Sequence, residues 1–263
     1  MSDTGRWSDL ATRLASALVM VAIGGGAVWI GGWAFHLLLV LVCGMMTWEL
    51  WRMLAPGDDR RAVLLGGLVA LAVLVGPLVP VQFLIPVLGV PVVVGAYALS
   101  NNRLIYATYA MLILLAGYAM WLLRAEYGLG WMLWLIVVVV ASDVAGYFAG
   151  KALGGPKFWP RISPKKTWSG TLAGWIAAAL VGVGFVSVLG GGAGLVILSV
   201  VMAMAAQAGD IAESAMKRRA GIKDSSNLIP GHGGVLDRFD GMLGAAVLTL
   251  LAGAQIAANG GAG

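Results

Sequence analysis

Residues 207–241 read QAGDIAESAMKRRAGIKDSSNLIPGHGGVLDRFDG, running from Gln207 to Gly241. Five of the protein's twelve acids lie there (Asp210, Glu213, Asp224, Asp237 and Asp240), together with five of its seventeen bases. The chain around this stretch is apolar. Charge at this density, in a protein that is 60% hydrophobic and 11% charged, predicts the end of one apolar helix, a polar loop and the start of the next.

Working outward, a soluble domain carries roughly 25% charged residues, so this composition belongs to a polytopic membrane protein. Mean hydropathy is +0.91. Unsatisfied backbone is excluded from lipid and the apolar runs are too long for barrel strands, so the fold class is all-α. The 39 glycines among 263 residues suit close helix packing in lipid. The lone cysteine, Cys43, lies in an apolar run and reads as a small core residue. A pI near 9.6 could suggest nucleic acid. The bases fall in short loops between apolar runs, however, and membrane orientation explains them better, so no nucleic-acid partner is expected.

At about 20 apolar residues per span, transmembrane helices are expected near 13–31, 33–54, 62–79, 81–99, 104–123, 129–150, 168–189, 193–216 and 236–258, nine in all. Residues 1–12 are polar and are placed at the membrane surface, with the first span retained rather than cleaved. Pro77, Pro80, Pro86 and Pro91 interrupt the third and fourth spans and would kink a helix or mark a tight hairpin. No repeat, low-complexity tail or soluble domain is visible. The chain is one membrane domain, in which 1–100 are less characteristic and 101–263 carry the motifs. With nine spans, sixteen of the seventeen bases fall on the side of the N-terminus and only Arg124 on the other. The positive-inside rule then puts the N-terminus and those loops in the cytoplasm. The chain is thus expected in the inner (cytoplasmic) membrane.

Intramembrane acids are costly and mark function. Asp143 sits in VVVVASDVAGY, about two turns from the cytoplasmic end of the sixth span. Asp210, Glu213 and Lys217 share one face of the eighth span through their i, i+3, i+7 spacing. Asp237 and Asp240 open the ninth. Four acids (Asp143, Asp210, Asp237, Asp240) from three helices are thereby expected at one depth. Clustered carboxylates with no matching Cys or His set favour a hard cation such as Mg²⁺, and nearby bases suggest phosphate as the other ligand. Taken singly, Asp143 has an alternative as the partner of a lysine. Asp237 could be only an N-cap, and Arg238 only an interfacial anchor.

A second constellation, RISPKKTWSG at 161–170, reads as a loop on the same side, ahead of the seventh span. Ser163, Lys165, Lys166 and Thr167 supply ammonium and hydroxyl donors suited to phosphate; as an alternative, the two lysines only set orientation. No Walker-type loop or dinucleotide fingerprint is present. His232, between glycines, is assigned to substrate binding or loop ordering. His36 reads as a packed or interhelical residue.

The pattern Ser214-x-x-Lys217-Arg218-x(4)-Lys223-Asp224-x(5)-Pro230-Gly231-His232-Gly233-Gly234-x-x-Asp237-Arg238-x-Asp240 resembles the signature of the phosphatidate cytidylyltransferases (CDP-diacylglycerol synthases). Ser142-Asp143 with Gly146-Tyr147, Ser163 to Trp168, and Gly209-Asp210 with Glu213-Ser214 are similar to the family as well. The motifs cover the C-terminal half. Ser169 departs from the pattern, standing where many members carry an acid.

The resemblance implies that CTP and phosphatidate give CDP-diacylglycerol and pyrophosphate with Mg²⁺. It also implies a metal centre on Asp210 and Asp237, with K⁺ beside it. Asp240 or Asp143 would assist the metal, while Lys217, Arg218, Lys223, Lys165 and Lys166 would hold phosphates. Ser163, Thr167, Ser214, His232 and Arg238 complete the expected substrate contacts. Membrane lipids surround the site, and the family admits a homodimer, for which no residue here argues. Rival readings are a CTP-dependent transferase acting on another lipid phosphate or alcohol, and a cation or proton transporter.

Overall fold

The computed structural model describes residues 3–253, with side chains from Thr12 onward. The side chains of the polar segment 1–11, including Arg6, and residues 254–258 of the expected ninth span lie outside the described residues. The helices are α1 (Asp3–Ile30), α2 (Gly32–Leu54), α3 (Asp59–Val75), α4 (Val81–Ala98), α5 (Arg103–Glu126), α6 (Gly128–Leu153), α7 (Trp168–Leu189), α8 (Gly192–Arg219) and α9 (Leu236–Leu251). Eight of them, α1 to α8, are long and apolar enough to cross a membrane. The chain is therefore a polytopic, helical integral membrane protein. Helix α9 has 16 described residues, short of the length of a full span.

By contact the chain forms two compact units, Met1–Trp121 with Ile222–Phe239, and Leu122–Gly221 with Asp240–Gly263. In the first, α2 and α3 run antiparallel and meet backbone to backbone: a Cβ on Gly66 would sit 2.8 Å from the Gly44 carbonyl oxygen. Pro77 and Pro80 mark the expected break between the third and fourth spans, whereas Pro86 and Pro91 lie inside α4. Pro77 lies in a single 3₁₀ turn, Gly76–Leu78, that ends α3, and Pro80 caps α4. Pro77 has no N–H to offer the Val73 carbonyl one turn back, and the buried His36 Nε2 meets that oxygen at 3.0 Å while its ring stacks on Trp33. His36 is thus an interhelical residue, as expected. Cys43 is buried and donates its Sγ–H to the Ile113 carbonyl at 3.7 Å.

In the second unit, α6, α7 and α8 pack together. Gly146 and Gly150 on α6 face Gly170 on α7, Gly174 faces Ser142, and a Cβ on Gly170 would lie 2.5 Å from the Gly146 carbonyl oxygen. Small residues four apart on both helices let the backbones touch, the usual solution where lipid provides no hydrophobic drive. Helix α8 is tied on by Trp134 Nε1 donating to Ser199 Oγ (2.8 Å) and Trp175 Nε1 donating to Gln207 Oε1 (3.0 Å).

The 161–170 segment corrects the loop expectation. Residues Lys157–Trp159 (β1) pair antiparallel with Ser163–Thr167 (β2). Gly154 and Gly155 take positive φ and turn the chain out of α6. The Phe158 and Trp168 rings then close on one another with centroids 4.7 Å apart. Thr167 ends the hairpin as the N-cap of α7, its Oγ1 accepting from Gly170 N at 3.2 Å.

Replacing Gly170 by Val should force α6 and α7 apart and cost about 1–3 kcal/mol, read as a lower midpoint of detergent-induced unfolding. Gly67→Ala, where the added Cβ meets nothing within 4 Å, should leave the midpoint unchanged. An unchanged midpoint in Gly170→Val would contradict the glycine contact.

Candidate active site

The second unit contains a cavity of about 500 Å³, within the usual range for a small-molecule site. It lies where α6, α7, α8 and the hairpin converge. Asp143 and Ser142 come from α6, Lys165, Lys166 and Thr167 from β2, and Gln207 and Asp210 from α8. Charges expected from three separate stretches therefore do meet. Lys166 Nζ forms an ion pair with Asp210 Oδ2, and both side chains are half-buried. Ser214 Oγ, one turn on, donates to Asp210 Oδ1 at 3.2 Å. Asp210 is thus held from two sides and faces the cavity.

Gln207 sits three residues before Asp210 and forms a polar floor. Trp175 fixes its oxygen, and its Nε2 donates to Ser142 Oγ and the Thr171 carbonyl, each at 3.4 Å. Gly174 leaves room for this network, since a Cβ there would lie 2.7 Å from Gln207 Nε2. Lys151 and Lys157 also reach the cavity, so four ammonium groups surround it. The departure at position 169 is accommodated locally: Ser169 Oγ donates to the Gly154 carbonyl at 2.5 Å and lies 3.0 Å from Thr167 Oγ1.

Lys217 does not line the cavity; it is paired with the buried Glu213 at 2.5 Å. The face shared by Asp210, Glu213 and Lys217 exists, but the ion pair joins its second and third members. Asp240 is half-buried, its Oδ1 accepting from Gly241 N at 2.7 Å, and it lies within electrostatic range of Asp210, Asp143 and Lys217. Ser163 opens β2 and is half-buried, and Arg218 is exposed at the end of α8.

Lys223, His232, Asp237 and Arg238 belong to the first unit. Asp237 is buried, and its Oδ2 accepts from Ser225 N (2.8 Å), Ser225 Oγ (2.9 Å) and Gly234 N (2.8 Å). His232 Nδ1 lies 2.9 Å from Ser16 Oγ on α1, a loop-ordering contact. Lys223 and Arg238 are exposed.

For a metal, the informative observation is donor chemistry. Asp210, with Asp143 and Asp240 within electrostatic range of it, offers carboxylate oxygens of the kind a hard divalent cation takes. Among the described residues, no group of three or more His, Cys, Asp or Glu side chains forms a ready cage. Mg²⁺ is commonly bound that way, through one or two carboxylates with substrate phosphates and water completing the octahedron. The residues present fit it.

Sequence reasoning missed Gln207, Lys157 and, in the first unit, Glu49. That glutamate is buried in α2 and accepts hydrogen bonds from Ser225, Ser226, Val235 and Leu236. Glu49 had a usable signal, being an acid alone in an apolar span.

A family model described as "Cytidylyltransferase family" matches residues 11–254. A phosphatidate cytidylyltransferase of Brucella suis is 36% identical over 263 residues, covering 95% of each chain. Proteins of the same name from Helicobacter pylori (48% identical over 120 residues) and Bacillus subtilis (40% over 121) align with 45% of this chain and 45% of their own. Matched along nearly its whole length, the chain belongs to the cytidylyltransferase family.

Proposed function

We propose that this protein transfers the cytidylyl group of CTP to phosphatidate, giving CDP-diacylglycerol and pyrophosphate. The observation that carries this is the cavity itself: acids from α6 and α8 face ammonium groups of the hairpin, in a chain that aligns with a named phosphatidate cytidylyltransferase over 95% of both lengths. A triphosphate and a lipid phosphate both need cationic holders, and the carboxylates suit the metal that accompanies a nucleotide.

In the proposed reaction a phosphate oxygen of phosphatidate attacks the α-phosphorus of CTP. The new P–O bond forms as the bond to the β-phosphate's bridging oxygen breaks, and pyrophosphate leaves with that electron pair. The nucleophile is already an anion near neutral pH, so no dedicated base is required. Lys165, Lys166 and Lys157 hold phosphate oxygens. Lys217 and Arg218 on α8 and Lys223 in the first unit are further proposed phosphate holders, and Ser163, Thr167 and Ser214 of the second unit and His232 and Arg238 of the first are the remaining proposed substrate contacts. Asp210, Asp143 and Asp240 are the metal-holding acids of the second unit. Asp237 is the first unit's proposed ligand, its Oδ2 committed to ordering its loop. Bound Mg²⁺ supplies neutralisation of charge on the transferring and leaving oxygens.

The proposed topology has nine spans and a cytoplasmic N-terminus, with the hairpin and the 220–235 loop on the cytoplasmic side. It rests on the sixteen bases that fall to one side of that arrangement. Such an interfacial site lets water-soluble CTP enter while acyl chains stay in lipid.

Purified protein given CTP, phosphatidate and Mg²⁺ should release pyrophosphate. Turnover only with an isoprenoid phosphate or another lipid, or cation flux into vesicles without CTP consumption, would overturn the reading. In Asp210→Asn and Asp237→Asn the rate should fall by about 10²-fold or more; near-normal rates in both would sink the metal assignment. Lys165→Ala should raise KM for a phosphate-bearing substrate with little change in kcat. Lys166→Ala should lower kcat too, because it also strips Asp210 of its cation. Unchanged kinetics in both would return these lysines to setting orientation alone.

A further inference from the structure

Glu49 stands on α2 with no exposed surface, yet its carboxylate accepts four hydrogen bonds from a segment 176 to 187 residues away. Oε1 accepts from Ser226 Oγ (2.6 Å) and Val235 N (2.9 Å). Oε2 accepts from Ser225 Oγ (3.1 Å) and Leu236 N (2.7 Å). The two serines begin the 225–236 loop, and the two backbone amides end it. Those amides belong to the entry of α9, where N–H groups have no acceptor within their own helix. One carboxylate on α2 therefore serves as the cap of α9 and closes both ends of the loop that leads to it.

The surroundings allow little else. A Cβ on Gly234 would lie 2.6 Å from Glu49 Oε1, so only glycine fits between the carboxylate and the chain. Within the loop, Ile229 N donates to the Gly233 carbonyl (2.8 Å) and His232 N to that of Ile229 (2.9 Å), so the tip is closed as well. Asp237 grips the same loop from the helix side, and Ser225 Oγ lies within hydrogen-bond distance of both carboxylates. The loop carries His232, Lys223 precedes it, and Asp237 and Arg238 follow.

We infer that Glu49 is a positioning residue for the transfer reaction: it fixes the 225–236 loop and the first turn of α9, and so sets the place of Asp237. This rests on the cytidylyltransferase reading. Burying a carboxylate in an apolar helix pair costs stability unless donors meet it. Here the donors come from the signature loop rather than from neighbouring helices, so the cost is offset where the loop is ordered.

The test uses the full chain in detergent micelles with phosphatidate, comparing wild type with Glu49→Gln and Ser226→Ala. Glutamine keeps the shape but sets an NH₂ against a backbone N–H. Trypsin should then cut after the exposed Lys223 several-fold faster, with cleavage after Lys157 and Lys165 unchanged. At saturating substrates kcat should fall by about tenfold to a hundredfold, a larger change than any rise in KM for CTP. Ser226→Ala removes one donor of four and should give a smaller change in the same two readouts, which keeps the test open if Glu49→Gln does not fold. Wild-type kcat, or a reduced kcat with unchanged cleavage after Lys223, would overturn the inference. If wild type makes no CDP-diacylglycerol, the reaction reading falls instead, and the proteolysis alone decides whether Glu49 holds the loop.

Discussion

A carboxylate enclosed by apolar helices has to be met by donors, because neither lipid nor a packed interior can solvate it. Much of this structure follows from how that requirement is met in each unit. In the first, Glu49 and Asp237 are satisfied by the backbone and hydroxyls of a single loop. In the second, Asp210 is met by Lys166 and Ser214, and Glu213 by Lys217. The Lys166 contact joins the hairpin to α8. Acids that would be liabilities one by one thus become the ties between segments distant in sequence.

Backbone proximity supplies the complementary half. Facing glycines let α6 and α7 touch, which brings Thr167 and Lys166 alongside Ser142 and Asp143. The gap between Gly174 and α8 is filled by Gln207 rather than by an apolar side chain. Close packing therefore produces a polar floor beneath the cavity, with charged walls above it. The charged walls suit the phosphates of the proposed nucleotide.

The helices were legible because long apolar runs in lipid have one backbone solution: the limits of α2 to α8 follow the expected spans, whereas α1 begins at Asp3 rather than at 13 and α9 is described only to Leu251. Pro77 and Pro80 were legible for the same reason, since a missing N–H has a fixed consequence, whereas Pro86 and Pro91 lie inside α4 and mark no hairpin. Asp143, Lys165, Lys166 and Asp210 could be expected to converge from charge and family resemblance together. The β-hairpin was not legible. Its second strand, Ser-Pro-Lys-Lys-Thr, has neither alternation nor β-branched content beyond Thr167, and pairing with Lys157–Trp159 decides its conformation. Spacing alone could not assign the partner of Lys217, because Asp210 and Glu213 share its helix face. Glu49, an acid alone in an apolar span, was legible as a group that needs donors, but its partners were not: two serine hydroxyls and two backbone amides lying 176 to 187 residues away.

In the proposed reaction the α-phosphate of CTP ends in the lipid. This is tested most directly by incubating purified protein and phosphatidate with CTP carrying radioactive phosphorus at either the α or the γ position, then extracting into chloroform. The α-label should enter the lipid phase and the γ-label should stay in water as pyrophosphate. Lipid labelled from the γ position, or from neither, would contradict the proposed reaction.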